Sequence, residues 1–226
     1  MNLFRGKGVI PRVTPIETVP TKFPYFEISD IQQGTQSWLD WRKKVIGASE
    51  AGVILGENHW QSRENLIQEK MGLREGFQGN ANTREGHELE SQARSLIEKT
   101  YGIKIKPTIV QDGQLPFIAA SLDGISDKHD QVFEIKCGEK SYALAAKNEI
   151  PNYYYGQLQH ILMVTQLDKI SYVAFRPFSE LIILELGRDG AYIDRMRILE
   201  QNFASVLIDR GHEIQNSFRG VAINRK

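Results

Sequence analysis

Apolar and polar positions along the chain follow two different periods, and the points where the period changes divide it into elements. Across 35–56, TQSWLDWRKKVIGASEAGVILG spaces its apolar residues as two short helices parted at Gly47, the second capped near Ser49. SRENLIQEKM follows as a helix with Ser62 as its N-cap and Gly72 just past its end. In 83-TREGHELESQARSLIEKTYG-102, Leu89, Ala93, Leu96, Ile97 and Tyr101 recur at the spacing that gathers side chains on one helix face. The period then falls to two. IKIKPTIVQ, LPFIAAS and QVFEIKC read as strands separated by turn signals at Asp112-Gly113 and Asp123-Gly124. A short helix over 142–147 and a longer one in PNYYYGQLQHILMVTQL come next, then the strands KISYVAFRP and ELIILELG and a last helix over 191–210. This order predicts an α+β or α/β domain with a mixed central β-sheet flanked by helices.

The first residues show neither period. Pro11, Pro15, Pro20 and Pro24 fix the backbone and remove donors, and Arg5, Lys7, Arg12 and Lys22 face only Glu17. Residues 1–30 are therefore expected to form an extended basic arm, and 31–226 a single domain. Such an arm serves equally as a surface-hugging tail or as a contact to a neighbour or a phosphate backbone.

Composition narrows the partners. A chain of 226 residues with 41% hydrophobic content can bury a full core. Lys plus Arg equals Asp plus Glu at 28 each, so any polyanion must be held by locally gathered basic residues. The single cysteine, Cys137, excludes an internal disulfide and a cysteine-rich metal site, suits a reducing compartment, and is expected as a core thiol. His59, His87, His129, His160 and His212 have no metal-binding spacing. The opening lacks the apolar core of a secretory signal, and no run approaches the roughly 18 apolar residues of a membrane span. The expected location is the cytoplasm, with no membrane partner.

One strand carries charge in an unusual place. In 131-QVFEIKCGEK-140, Phe133 and Ile135 point to one face while Glu134 and Lys136 share the other. A half-solvated strand with a same-face ion pair satisfies that pattern by itself. Asp123, however, stands eleven residues earlier in SLDG, and two adjacent strands would bring the acids together. Its bland role is a tight Asp-Gly turn. Two carboxylates with waters and a substrate phosphate are how magnesium is commonly held. An ammonium at Lys136 would then orient the attacking water and stabilise charge developing on phosphorus, affecting rate more than metal binding.

Asp123, Glu134 and Lys136 resemble the signature of the PD-(D/E)xK nuclease superfamily, which alone is weak. Further segments in matching order resemble its phage lambda-type alkaline exonuclease branch, the YqaJ-like viral recombinases. These are 41-WRKKVIGASE-50, 86-GHELESQAR-94, 121-SLDG-124, 134-EIKC-137 and 157-QLQHILMV-164. The resemblance runs from Gln33 to the end of the last of them. Leu122 and Gly138 stand where the family places prolines, which changes loop rigidity and no ligand.

The resemblance implies a restriction-endonuclease-like core and two magnesium ions per site, with manganese as a substitute. It places Asp123, Glu134, the backbone carbonyl of Ile135 and Glu90 around the metals, Glu88 being the fallback for Glu90. Lys136 and Gln157 become catalytic, and Arg42, Ser49 and Ser121 a pocket for a 5′-phosphate. A guanidinium fork and amide donors near Ser49 suit that ligand, although Ser49 also reads as a plain N-cap and Arg42 as a surface charge. Tyr154, within the run 153–155, becomes a DNA contact whose ring stacks on bases or simply packs in the core. The implied activity is 5′-to-3′ digestion of one strand of linear duplex DNA to mononucleotides, leaving a 3′ single strand for an annealing protein in bacteriophage-type recombination. The implied assembly is a homotrimer ring with Arg42, Lys43 and Lys44 facing its channel, in a bacterial host. Two rival readings are a structure-specific or restriction-like endonuclease and a non-catalytic DNA-binding recombination subunit.

Overall fold

Strands rich in Ile, Val and Ala with few polar interruptions need cover on both faces, and the computed structural model of the chain provides it. It describes residues 4–5, 25–76 and 81–211. In chain order these form β1 (Phe4–Arg5), β2 (Tyr25–Ile28), α1 (Gln36–Lys43), β3 (Ile46–Gly47), α2 (Ala51–Ile54), α3 (Arg63–Lys70) and α4 (Ala81–Tyr101). They continue with β4 (Ile105–Asp112), β5 (Ile118–Ser126), β6 (Val132–Lys136), α5 (Glu139–Ala145), β7 (Glu149–Ile150) and α6 (Tyr155–Thr165). The last are β8 (Lys169–Ala174), β9 (Ile182–Gly187) and α7 (Gly190–Asp209).

The main sheet runs β2-β4-β5-β6-β8-β9, with β3 paired to β5 off that path. Only the β6–β8 and β3–β5 pairs are parallel, so the sheet is mixed as expected. The parallel step from β6 to β8 needs a crossover, and α5 and α6 make it. On one face, Leu122, Val132 and Tyr172 meet Leu158, Ile161 and Leu162 of α6 and Phe203 and Leu207 of α7. On the other, Phe133, Ile135 and Val173 pack on Ala93 and Ile97 of α4, and Ala119 and Ile109 lie beneath Trp41.

β6 is therefore central and covered on both faces, in contrast to the half-solvated strand its alternation suggests. Glu134 is only 2% exposed because α6 lies over it.

The Asp-Gly step at 123–124 also departs from the sequence reading. It lies inside β5, and the chain reverses beyond it, where Ser126 N–H donates to Gln131 and Ser126 Oγ donates to Asp130. Across β4, Lys106 faces Ile125 and Thr108 faces Leu122, so Asp123 and Gly124 together oppose Pro107 alone. This is a β-bulge at a residue with no N–H to give, a position where proline is tolerated and an extra residue is accommodated. Gly124 leaves space for its neighbours: a Cβ there would sit 3.2 Å from Ile105 Cδ1 and 3.5 Å from the Cβ of Phe133.

The arm expected over 1–30 ends sooner, because Tyr25–Ile28 pair with Asp112–Ile109 as a strand of the sheet. Tyr25 is anchored by its hydroxyl at 2.6 Å from His129 Nδ1. Phe4–Arg5 pair with Glu149–Ile150. Residues 1–3, 6–24 and 212–226, with His212, lie outside the described residues.

Gly124→Val is expected to lower the unfolding free energy by about 1–3 kcal/mol through overpacking against Ile105 and Phe133. Urea denaturation of the purified variant checks it.

Candidate active site

The β5–β6 ladder is short, pairing Gly124 with Phe133 and Ile125 with Val132. Past it, the bulge turns Asp123 into the widening gap, where its Oδ2 accepts the N–H of Ile135 at 2.8 Å. A strand residue's N–H and C=O lie on the same edge, so the Ile135 carbonyl opens beside Asp123. Glu134 projects to the α6 face. Its Oε1 accepts from Lys136 Nζ and from Gln157 Nε2, both at 2.6 Å. Lys136 also lies 3.4 Å from Gln157 Oε1 and 4.5 Å from the centre of the Tyr154 ring. The gap between β5 and β6 thus joins acids that approach from opposite faces.

α4 supplies the flank. Glu90 and Arg94, one turn apart, both reach Asp123: Glu90 through its charge, Arg94 by donating to the Asp123 carbonyl at 3.0 Å. Glu90 is half-buried while Glu88 is exposed, which favours Glu90 of the two.

Electrostatics in the gap are strained. Burial first, then the charge of Glu90, raises the pKa of Asp123 to about 6 against the pull of Lys136, the Ile135 N–H and Arg94. Burial and then Asp123 raise Glu134 to about 7, opposed by Lys136. Burial works against the charge on Lys136, but Glu134, Tyr154 and Asp123 outweigh it and raise its pKa, so it remains an ammonium.

Glu134 Oε2 is buried with no hydrogen-bond partner. An orphaned, buried carboxylate oxygen is costly, and Glu134 also feels the charge of Asp123, so the gap gathers carboxylate oxygens, the donor type that a hard divalent cation takes. Among the described residues no group of three or more His, Cys, Asp or Glu side chains is placed to hold a metal ion. Two carboxylates and a carbonyl are an open set, the kind that leaves coordination for water and substrate.

Ser121 lies two residues before Asp123 on the same side of β5, about 7 Å along the strand. Its Oγ accepts from Trp38 Nε1 at 3.0 Å. Arg42 lies 4.8 Å over the Trp38 ring and donates to Ser49 Oγ at 3.0 Å. Arg42, Ser49 and Ser121 therefore gather around Trp38, which the sequence reading did not single out although it stands one helical turn before Arg42. Arg94 was missed too, although it is spaced one turn from Glu90. Lys43 and Lys44 are exposed, and Lys43 pairs with Asp40.

The tyrosine run splits. Tyr153 and Tyr154 meet at 4.5 Å with their rings tilted, Trp60 meets Tyr153 edge-on at 5.0 Å and Lys140 lies over it, whereas Tyr155 turns away to bond Asp189. Cys137 is half-buried against the α4-side core, and burial followed by Glu90 and Asp123 pushes its thiol up to about 12. His160 is buried between Glu200 and the Ala119 carbonyl, a structural role.

The model of the YqaJ-like viral recombinase domain matches residues 37–168. The uncharacterized protein YqaJ of Bacillus subtilis (strain 168) is 27% identical over 179 residues, covering 76% of this chain and 56% of that protein. The chain thus spans about half the length of this curated relative. The alkaline exonuclease LHK-Exo of Laribacter hongkongensis has a similar structure, with a TM-score of 0.66 at 22% identity over 83% of this chain and 98% of that one. The same enzyme solved with dAMP matches equally. A phage related exonuclease from Haemophilus somnus 129PT matches with a TM-score of 0.57 at 17% identity, over 74% and 96% of the two chains. At these identities the structures establish a common fold, the mixed sheet flanked by helices.

The raised pKa values give a stability prediction. Asp123 and Glu134 hold their protons more tightly folded than unfolded, so their favourable contribution is complete below about pH 4 and is lost as pH rises through about 6 and about 7. In chelator at pH 8, Asp123→Asn, whose amide oxygen can still accept from Ile135, is expected to be more stable than wild type by about 1–3 kcal/mol. Its loss of stability between pH 4 and 7 should be shallower, as followed by thermal unfolding.

Proposed function

Since the chain belongs to the family of YqaJ-like viral recombinases, we propose that it is a metal-dependent deoxyribonuclease that digests linear duplex DNA from the 5′ end. The observation that carries this reading is the gathering of Asp123, Glu134 and Lys136 at the splayed β5–β6 edge, with Glu134 Oε2 left without a partner.

Asp123, Glu134 and the Ile135 carbonyl would hold magnesium, or manganese in its place, with Glu90 completing the acidic flank of a two-ion site. When bound, the ions polarise the phosphoryl group and make water a better nucleophile at neutral pH. Lys136, charged throughout the working range, stabilises the negative charge that builds on the phosphoryl oxygens as water adds. Gln157 fixes Glu134 with its amide N–H and faces Lys136 with its oxygen, so it keeps both groups in register. Hydrolysis breaks the bond from phosphorus to the 3′ oxygen of the terminal nucleotide and releases a 5′-mononucleotide.

Polarity comes from the neighbouring pocket. Arg42, Ser49 and Ser121 offer a guanidinium and two hydroxyls to a terminal 5′-phosphate, Ser121 standing two residues before Asp123 on β5. dAMP, the ligand of the related LHK-Exo structure, is a deoxynucleoside monophosphate, the class of product such cleavage yields. Tyr154 and Tyr153, continued by the 68% exposed Trp60, form a row of rings on which unpaired bases stack. The proposal extends to a homotrimer ring threading duplex, with Arg42, Lys43 and Lys44 toward its channel. The surviving 3′ strand passes to an annealing protein in the cytoplasm of a bacterial host. Among the described residues no helix is long and apolar enough to cross a membrane.

Digestion of linear duplex with 5′-phosphate or 5′-hydroxyl ends, beside a covalently closed circle, tests the reading. Magnesium-dependent loss of the 5′-phosphorylated strand is expected, with the circle spared and the rate reduced on the order of 10²-fold or more in Lys136→Ala. Cleavage of the circle would make the protein an endonuclease. Salt-sensitive DNA binding without digestion would make it a non-catalytic recombination subunit.

A further inference from the structure

We propose that the buried pair Lys70 and Glu50 sets the charge of the 5′-phosphate pocket, Lys70 holding Glu50 so that the Arg42 guanidinium stays available to an incoming phosphate. The inference rests on the assignment of Arg42 and Ser49 to that pocket.

Lys70 ends α3 and is 4% exposed, an uncommon place for an ammonium. Its Nζ meets three acceptors: the Arg42 carbonyl at 2.7 Å, the Val45 carbonyl at 2.5 Å and Glu50 Oε2 at 2.7 Å. Burial pushes its pKa down and Glu50 opposes the shift. Three acceptors at these distances require three N–H donors, which only the ammonium form has. Two of them are carbonyls at and beyond the end of α1, the negative end of the helix dipole, and one belongs to Arg42 itself. Lys70 therefore fixes the backbone from which the guanidinium extends.

Glu50 is the shared element. Its Oε2 accepts from Lys70 and from the Gly47 N–H at 2.9 Å, which draws the carboxylate inward. Its Oε1 stays 3.7 Å from Arg42, beyond hydrogen-bond length, and Arg42 instead donates to Ser49 at 3.0 Å while stacking on Trp38. Glu50 thus lies between a buried cation, Lys70, which also feels the charge of Glu69, and the partly exposed Arg42, and its hydrogen bonds go to the buried side. Without Lys70, Glu50 would close on Arg42 and neutralise the pocket. Lys70 touches no substrate in this account; it is a positioning residue that acts through Glu50.

The test compares kcat/KM on duplex with a 5′-phosphate or a 5′-hydroxyl end for wild type, Lys70→Met, Glu50→Gln and the double variant, with circular dichroism to verify folding. Wild type should favour the phosphate at least tenfold. Lys70→Met should bring the ratio toward one, chiefly through KM. The double variant, which has no anion to capture Arg42, should recover most of the preference. A role for Lys70 in packing alone would not be rescued by Glu50→Gln, so absence of recovery overturns the proposal, as does a wild-type ratio in Lys70→Met. If Lys70→Met does not fold, Glu50→Gln decides: a ratio at or above wild type supports the proposal, and a lost preference overturns it. A wild type that digests both ends equally removes the phosphate pocket and this inference together, and one inert on every end removes the nuclease reading instead.

Discussion

Pro107 has no N–H to give to the strand beside it, and opposite that gap β5 carries two residues where β4 has one. The extra residue shifts the phase of β5, so Asp123 leaves the ladder and its carboxylate replaces a backbone carbonyl as the acceptor for the Ile135 N–H. That substitution ends the pairing of β5 with β6 and keeps the edge from closing. It also exposes the Ile135 carbonyl to the gap and sets Asp123 beside a strand whose preceding residue, Glu134, faces the other way. Gly124 permits the close approach of Ile105 and Phe133 that keeps the bulge inside the core.

The same construction fixes the electrostatics. Covering β6 with α4 on one face and α6 on the other removes water from two carboxylates, and both respond by holding protons more tightly. Lys136 and Gln157 satisfy one oxygen of Glu134 and leave the other unmet. A fold built only for stability would do better with apolar residues there, since a partly satisfied buried polar group costs more than none. The arrangement makes physical sense as a place for a cation. On the neighbouring side, Arg42 and Ser49 lie beside a buried ion pair, Lys70 with Glu50.

Much of this was readable in the sequence, for reasons that differ by residue. Asp123, Glu134 and Lys136 are close in sequence, and the periods that predict α4 and α6 are long enough to fix Glu90 and Gln157 on helices. The Asp-Gly step was misread because a tight turn and a bulge use the same residue types; only the register against Pro107 separates them. The second face of β6 looked solvated because strand alternation reports side-chain direction and not what packs above it. Lys70 with Glu50 and Trp38 with Ser121 join residues 20 and 83 positions apart, and nothing local signals either pair. Tyr155 was grouped with Tyr153 and Tyr154, yet the start of α6 turns it toward Asp189.

The central claim is that the gap at the β5–β6 edge is a cation site made by Asp123 and Glu134, with Lys136 serving the reaction and not the ion. Thermal unfolding during a magnesium titration tests it most directly, because a ligand that binds only the folded state raises its stability with concentration. Wild type should gain stability as magnesium is added. Lys136→Met should gain at least as much, since removing the ammonium releases Glu134, and Asp123→Asn should gain little. Unfolding of wild type that ignores magnesium, or an Asp123→Asn variant that responds as wild type does, would contradict the account.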